Sequence, residues 1–220
     1  MAATTQSPPR FLGFPLPRRT RVPYAWLGRG LYLGSLAPLA SLAVRAVTDG
    51  LGANPIAEVE NELGLTALIF LVATMACTPA KRILGWTWPM RIRRQLGLWA
   101  FTYASIHFLT YLFIDQFLDF GAIFADIVQR PFITVGFAAL VLLAPIALTS
   151  TNDWVKRLGY QRWLRLHQLV YVVVALVAVH FIWRVKADIS QPLTYAVILG
   201  SLLGLRVLFW WGGKQRSRKA

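Results

Sequence analysis

The stretch LGLWAFTYASIHFLTYLFI, from Leu96 to Ile114, decides what kind of protein this is. It runs for 19 residues without a charged side chain. A helix needs about 20 mostly apolar residues to cross a hydrocarbon core of about 30 Å. A barrel strand would stop after about ten residues and alternate in polarity. This stretch does neither. Lipid offers no partner to a free backbone amide, so a helix is the form in which it can span. Inside it sits one histidine, His107.

Five more stretches of this kind lie around it: Leu31–Val47 and Leu63–Pro79 before it, and Phe132–Ser150, Trp163–Trp183 and Leu193–Trp211 after it. The second is the weakest, being short and ending in Cys77-Thr78-Pro79. The expected fold is an all-α membrane protein, a bundle of six transmembrane helices. Composition agrees. The chain is 56% hydrophobic and 15% charged, whereas a soluble domain carries about 25% charged residues. Most tryptophans fall near span ends, as an aromatic belt requires.

The net charge of +14 raises the question of nucleic acid. Its distribution answers it. Of the 23 basic residues, 18 fall before the first span, between the second and third, around the start of the fifth, and after the sixth. Glu58, Glu60, Glu62, Asp115, Asp119 and Asp126 fall in the opposite loops, with Asp49 and Asp188. Only Asp153 joins the basic set. Lysine and arginine mark the cytoplasmic side, so both termini are expected inside a bacterial inner membrane. No continuous basic face remains for nucleic acid. The expected partner of the charge is membrane lipid.

Residues 1–30, rich in proline and arginine, read as an unstructured cytoplasmic lead-in rather than a cleavable signal, since no apolar core precedes the first span. Residues 31–212 form the membrane domain and 213–220 a basic cytoplasmic tail. The single cysteine, Cys77, leaves no intrachain disulfide to form.

Polar groups within spans are costly and usually functional. The three histidines, His107, His167 and His180, all lie in spans. Counting from the acidic end at about 1.5 Å per residue puts His107 roughly 12 Å deep, His180 roughly 6 Å and His167 roughly 26 Å. Tilt covers the difference between the first two. His107 and His180 therefore pair at one level. Two neutral imidazoles suit the axial positions of a haem iron. Ala104, Ser105 and Tyr111, with Ala175, Ala178 and Trp183, would flank a flat macrocycle. A lone histidine can equally serve as a hydrogen-bonding group between helices.

His167 lies 13 residues before His180, about 20 Å along a straight helix and about 140° around it. A bulge, a kink or separate partners would reconcile them. His167 is a candidate ligand of a second haem, or a contact to a propionate, quinone or flavin. Near it, Arg91, Arg93, Arg94, Arg162 and Arg165 anchor the cytoplasmic side, or hold propionates or a flavin phosphate. Arg206, within the sixth span, is expected to snorkel to the inner interface or to meet a propionate from within the bundle.

At these residues a resemblance enters. The motifs are Arg93-Arg94-Gln95-Leu96-Gly97-Leu98, Ile106-His107-Phe108, Arg130-Pro131-Phe132-Ile133-Thr134, Ala147-Leu148-Thr149-Ser150-Thr151, Arg165-Leu166-His167 and His180-Phe181-Ile182-Trp183. In this order they resemble the haem-binding membrane subunits of periplasmic methionine sulfoxide reductase systems, the MsrQ family. That family lies within the ferric-reductase-like transmembrane group. The resemblance covers about residues 25–212. It implies haem b, an FMN, and electron delivery to a periplasmic molybdopterin methionine sulfoxide reductase subunit. The implied donor is quinol or a cytoplasmic flavin reductase. It makes His107 and His180 the iron ligands, with His167, Arg94 and Arg165 cofactor-binding. The wider group carries two histidines on each of helices three and five. Here Arg93 stands fourteen residues before His107, which leaves an inner bis-histidine site incomplete. Nine residues follow Trp211, so no FAD/NADPH domain is expected.

The competing function is a proton-coupled transporter with a histidine relay. Against it stand the scarcity of carboxylates within the spans and the lack of an inverted repeat. A ligand-free anchoring subunit is a third reading.

Overall fold

The computed structural model describes residues 24–48, 50–185 and 188–219, with short backbone segments at 10–11 and 14–15. Side chains are described from Trp26 to Trp211 within those bounds. Most of the lead-in, the tail's side chains, and Asp49 and Lys186 of the charge pattern lie outside the described residues. Within the lead-in, β1 (Arg10–Phe11) pairs antiparallel with β2 (Phe14–Pro15).

Helix α1 (Tyr24–Val47) begins seven residues before the expected Leu31. Helix α2 (Pro55–Ile83) is 29 residues long, not the short second span expected. The reason lies at both ends. Asn54 caps the helix by accepting the Ala57 N–H at 3.2 Å, and Pro55 opens it. Glu58, Glu60 and Glu62 therefore stand on its first turns rather than in a loop. Carboxylates suit a helix N-terminus, but their polarity hides the helix from a hydropathy reading. At the other end Pro79 does not stop it, since membrane helices tolerate proline.

Helix α3 (Trp88–Thr110) runs on into a π-helical turn, Tyr111–Asp115. Phe117 and Leu118 then reverse the chain with φ of 46° and 59°. The unexpected helix α4 (Phe120–Gln129) follows, capped by Asp119 through the Gly121 and Ala122 N–H groups. Its Phe120, Phe124 and Val128 are exposed. Its Asp126 points inward, accepting from Tyr111 Oη at 3.4 Å and pairing with Arg130 at 3.3 Å.

Helices α5 (Pro131–Leu148), α6 (Asn152–Leu158), α7 (Tyr160–His167), α8 (Val170–Arg184) and α9 (Ser190–Lys219) complete the chain. The expected fifth span is α7 and α8, broken at Gln168-Leu169. Six stretches among the described residues are long and apolar enough to cross a membrane.

Helix α2 is the central one. Within its apolar window 44% is buried inside the protein, against 6–17% for the other five. It packs along α3, while α5 packs along α8. The core joins Met75 and Leu71 of α2 to Ala100 of α3, Ala139 of α5, Val173 of α8 and Leu199 of α9. Tyr103 is fully buried and donates to the Ser35 carbonyl at 2.5 Å, fastening α3 to α1. At the acidic end Arg45 of α1 pairs with Glu58 and, at 2.6 Å, with Glu62.

Candidate functional site

His107 on α3 and His180 on α8 come together across the bundle. Their ring centroids lie 6.4 Å apart, with planes at 77°. Two metal–nitrogen bonds of about 2.0–2.1 Å, plus roughly 1.1 Å from each nitrogen to its ring centre, would set two axial imidazoles about 6.3 Å apart. The observed 6.4 Å is compatible with a shared metal. Rings in T-shaped contact also lie about 4.5–7 Å apart, so the shared cavity and the backing of each ring, and not the spacing alone, distinguish the site.

Each ring has a backbone behind it. His180 Nδ1 donates to the Phe132 carbonyl at 2.7 Å, where α5 begins. That bond fixes the tautomer and leaves Nε2 free to ligate. On α5, a Cβ at Gly136 would come within 2.6 Å of His180 Nδ1. On α2, a Cβ at Gly64 would meet His107 Cε1 at 3.4 Å. His107 Nδ1 is buried without a hydrogen-bond partner. The Glu60 carbonyl is close enough to act on the ring, but closes no bond to Nδ1.

Both histidines line one cavity of about 920 Å³. Ligand pockets run from about 300 to 1,000 Å³. The cavity opens at the acidic end among Glu58, Arg130, Arg184 and Asp188 and reaches mid-bundle at Leu71, Leu143 and Val173. Arg184 donates to Asn61. Asp188, outside the spans, accepts the Ser190 N–H at 2.9 Å and is held by that bond below its ordinary carboxylate value. Of the expected flanking residues, Ala104 and Tyr111 line the cavity. Ser105, Ala175, Ala178 and Trp183 do not, and Trp183 is 54% exposed. The walls come instead from α2 and α5, whose glycines the sequence reading missed. Their signal was a glycine inside an apolar span, which marks close approach of another group.

The donor set fits haem. Two glycines backing the rings, two imidazoles on one level and a cavity with an apolar inner wall would suit a flat macrocycle held by His107 and His180. Among the described residues no group of three or more His, Cys, Asp or Glu gathers as a cage for a bare ion.

His167 stands apart, at the basic end. Its Nδ1 donates to the Trp163 carbonyl at 3.0 Å, and Trp163 covers its ring at 3.9 Å between centroids. Its Nε2 faces Ser150 Oγ at 3.3 Å, while that hydroxyl also lies 2.7 Å from the Ile146 carbonyl. The serine proton serves one or the other. Arg94 and Arg165 are exposed at the same end, and Arg93 is the neighbour that turns toward the bundle. Arg206 does not snorkel outward. It donates to Tyr171 Oη, Thr78 Oγ1 and the Met75 carbonyl, acceptors that α2 and α8 present to it.

The comparisons bear on this arrangement. Residues 61–178 match the family model described as ferric reductase like transmembrane component. A Rhodospirillum rubrum protein named protein-methionine-sulfoxide reductase heme-binding subunit MsrQ is 51% identical over 183 residues, covering 83% of this chain and 88% of that relative. The chain belongs to the MsrQ family. A Deinococcus radiodurans relative of the same name is 51% identical over 82% of this chain and 89% of its own length. A third, from Herminiimonas arsenicoxydans, is 47% identical over 86% of each. In this MsrQ chain the matched region contains Gly64, His107, Gly136 and His167, and His180 follows two residues after it.

Proposed function

We propose that this chain is the membrane electron-transfer subunit of a methionine sulfoxide reductase system, holding haem b between His107 and His180. The observation that carries the reading is the 6.4 Å spacing of the two rings in a shared cavity. When bound, the haem supplies a one-electron carrier.

The protein's own residues do the rest. Phe132 and His180 hold one imidazole in its ligating tautomer. Gly64 and Gly136 let α2 and α5 close behind the rings. Leu68, Leu143 and Val173 keep water from the inner wall of the cavity. Arg130 and Arg184, at its mouth, suit carboxylate groups entering from that side.

The charge pattern supports a location in the bacterial inner membrane, with the basic end and both termini cytoplasmic. Electrons then enter at the basic end, near Arg94, Arg165 and His167. Quinol or a cytoplasmic flavin reductase supplies them. They leave at the acidic end for a periplasmic molybdopterin methionine sulfoxide reductase subunit, supporting repair of oxidised proteins. Asp115 and Asp119 there, which no arginine pairs among the described residues, favour a partner with a basic docking face. The family resemblance adds an FMN. His167 remains the candidate contact for a second cofactor at the donor end.

The purified full chain in vesicles tests this. A b-type reduced-minus-oxidised spectrum is expected, with electrons passing from a reductant at the basic end to an impermeant acceptor at the acidic end. A colourless protein that conducts protons would contradict it.

A further inference from the structure

Between the third and fourth spans the chain inserts a helix that does not cross the membrane. Helix α4 has ten residues. At about 1.5 Å per residue it is far shorter than a hydrocarbon core of about 30 Å. None of its side chains is buried, so it is not a core helix either. Apolar helices of this length that are neither lie at a membrane interface. Phe120, Phe124 and Val128 are 66–75% exposed, and Ile127 is exposed beside them.

At about 100° per residue these four side chains share an arc of about 100°. Half-buried Ile123 and Asp126 occupy the neighbouring arc, toward the bundle. Asp126, the one charge of the helix, accepts from Tyr111 Oη at 3.4 Å and Gln116 Nε2 at 3.5 Å, and pairs with Arg130 at 3.3 Å. Asp119, just before the helix, gives its carboxylate to the Gly121 and Ala122 N–H groups. Ala122, Ala125 and Gln129, exposed as well, share the remaining arc. The helix thus has one fastened side, one apolar side, and one of small and polar residues.

The ends of α4 fix its height. Gln116–Asp119 join it to the third span, and Arg130 alone joins it to α5. One residue reaches about 3.6 Å at most, so α4 cannot rise clear of the surface at which α5 begins. Both ends are tied at that surface, and the helix lies along it. The apolar arc also continues what the spans turn to lipid. Leu109, Phe113 and Phe117 are exposed at intervals of four residues, Phe120, Phe124 and Val128 carry the row along α4, and Phe137 and Val141 resume it on α5. A partner arriving through water would be recognised by charge, and this arc carries none. Phenylalanines and aliphatic residues on one side with polar groups on another are the pattern of a helix lying in the membrane plane.

We propose that α4 is an interfacial anchor, lying at the boundary of headgroups and acyl chains in the acidic-end leaflet, with Phe120, Phe124, Ile127 and Val128 in the lipid. Asp126 ties it to Tyr111 and Arg130, which line the cavity of His107 and His180. The mouth of that cavity then stands at headgroup level, and a partner that takes electrons there has to touch the membrane surface. The proposal rests on the six spans lying in a bilayer and not on the haem.

The test uses the full chain in phosphatidylcholine nanodiscs, with a nitroxide spin label attached to Phe120→Cys, Phe124→Cys, Ala125→Cys or Gln129→Cys. Cys77 is buried, and the wild type carried through the same labelling serves as the blank. Power saturation reads how often each label meets oxygen, which concentrates in lipid, and a neutral nickel chelate, which stays in water. The ratio of oxygen to nickel collisions is expected to be about threefold or more higher at 120 and 124 than at 125 and 129. A second measurement needs no variant. A phosphatidylcholine with a photoreactive acyl chain should mark Phe120, Phe124, Ile127 or Val128 of the wild type and leave Ala125 and Gln129 unmarked. Nickel reaching all four labels equally would overturn the proposal and make the apolar arc a dock for a soluble partner. Neither reagent reaching 120 and 124 would overturn it in favour of a second copy of the chain. Acyl-chain adducts on the six spans but none on α4 would overturn it as well.

Discussion

The Nδ1 of His180 donates to the Phe132 carbonyl at 2.7 Å, tying the ring on α8 to the first turn of α5. The Phe132 carbonyl lies in the first turn of α5, at the end of the helix that faces the site. Pro131 opens the helix, and the Phe132 carbonyl of its first turn meets His180 of α8. The ring is thereby aimed at His107 from a fixed direction, with Gly136 one turn further along α5 leaving room behind it.

That geometry makes Gly136 the most crowded of the described glycines. In Gly136→Ala the new methyl would lie 2.6 Å from a ring nitrogen already held by a hydrogen bond. Overpacking of this kind costs about 1–3 kcal/mol, which should weaken haem retention about tenfold or more. Gly64→Ala meets His107 at 3.4 Å and should be milder. Haem content per purified chain ranks the two, and equal retention would contradict the ranking.

Tyr103 offers a structural contrast. Its fully buried hydroxyl donates to the Ser35 carbonyl, away from the histidines. Tyr103→Phe removes that bond, at a cost of about 0.5–1.5 kcal/mol, while the carbonyl keeps its place in the α1 helix. Thermal unfolding in detergent should shift downward while the absorbance of bound haem keeps its shape. A changed spectrum with unchanged stability would show that the residue acts on the site instead.

The Arg45 link between α1 and α2 is half-exposed at the acidic end, with side chains 28–34% accessible. Solvent screening discounts it to about 1 kcal/mol or less. Arg45→Ala should lower the unfolding temperature slightly, and the difference should shrink as salt is raised. A large, salt-independent loss would mean that Arg45 supports more than this pair.

Much of this was legible in the sequence, and what was not has physical causes. Uncharged runs as long as Leu96–Ile114 announce membrane spans whatever their neighbours do. Counting depth along two helices was enough to pair His107 with His180. The remaining mismatch in that count closes partly through the π-helical turn at Tyr111–Asp115, which advances less per residue than an α-helix. The start of α2 was hidden because Glu58, Glu60 and Glu62 look like loop residues until Asn54 is seen to cap them. The angular conflict between His167 and His180 was real on a straight helix. The break at Gln168-Leu169 resolves it by letting His167 reach Ser150, just past the end of α5, while His180 meets Phe132 at its start. Of the two readings of Arg206, snorkelling fails because hydropathy records an arginine's cost but not the Tyr171 and Thr78 hydroxyls awaiting it.

His167 gives a prediction that separates the two ends. Its contacts are Trp163 and Ser150, and it does not line the cavity of the other two histidines. His167→Ala should keep the haem held at the acidic end, with its absorbance per chain unchanged to within experimental error. Loss of all haem from that variant would mean that the basic end organises the whole bundle.

Low-temperature electron paramagnetic resonance of the oxidised full chain addresses the histidine pair most directly. Two imidazoles on one ferric iron with planes near 77° should give a low-spin, highly anisotropic signal that disappears in both His107→Ala and His180→Ala. A high-spin signal in the wild type, or a low-spin signal that survives either substitution, would contradict the shared iron.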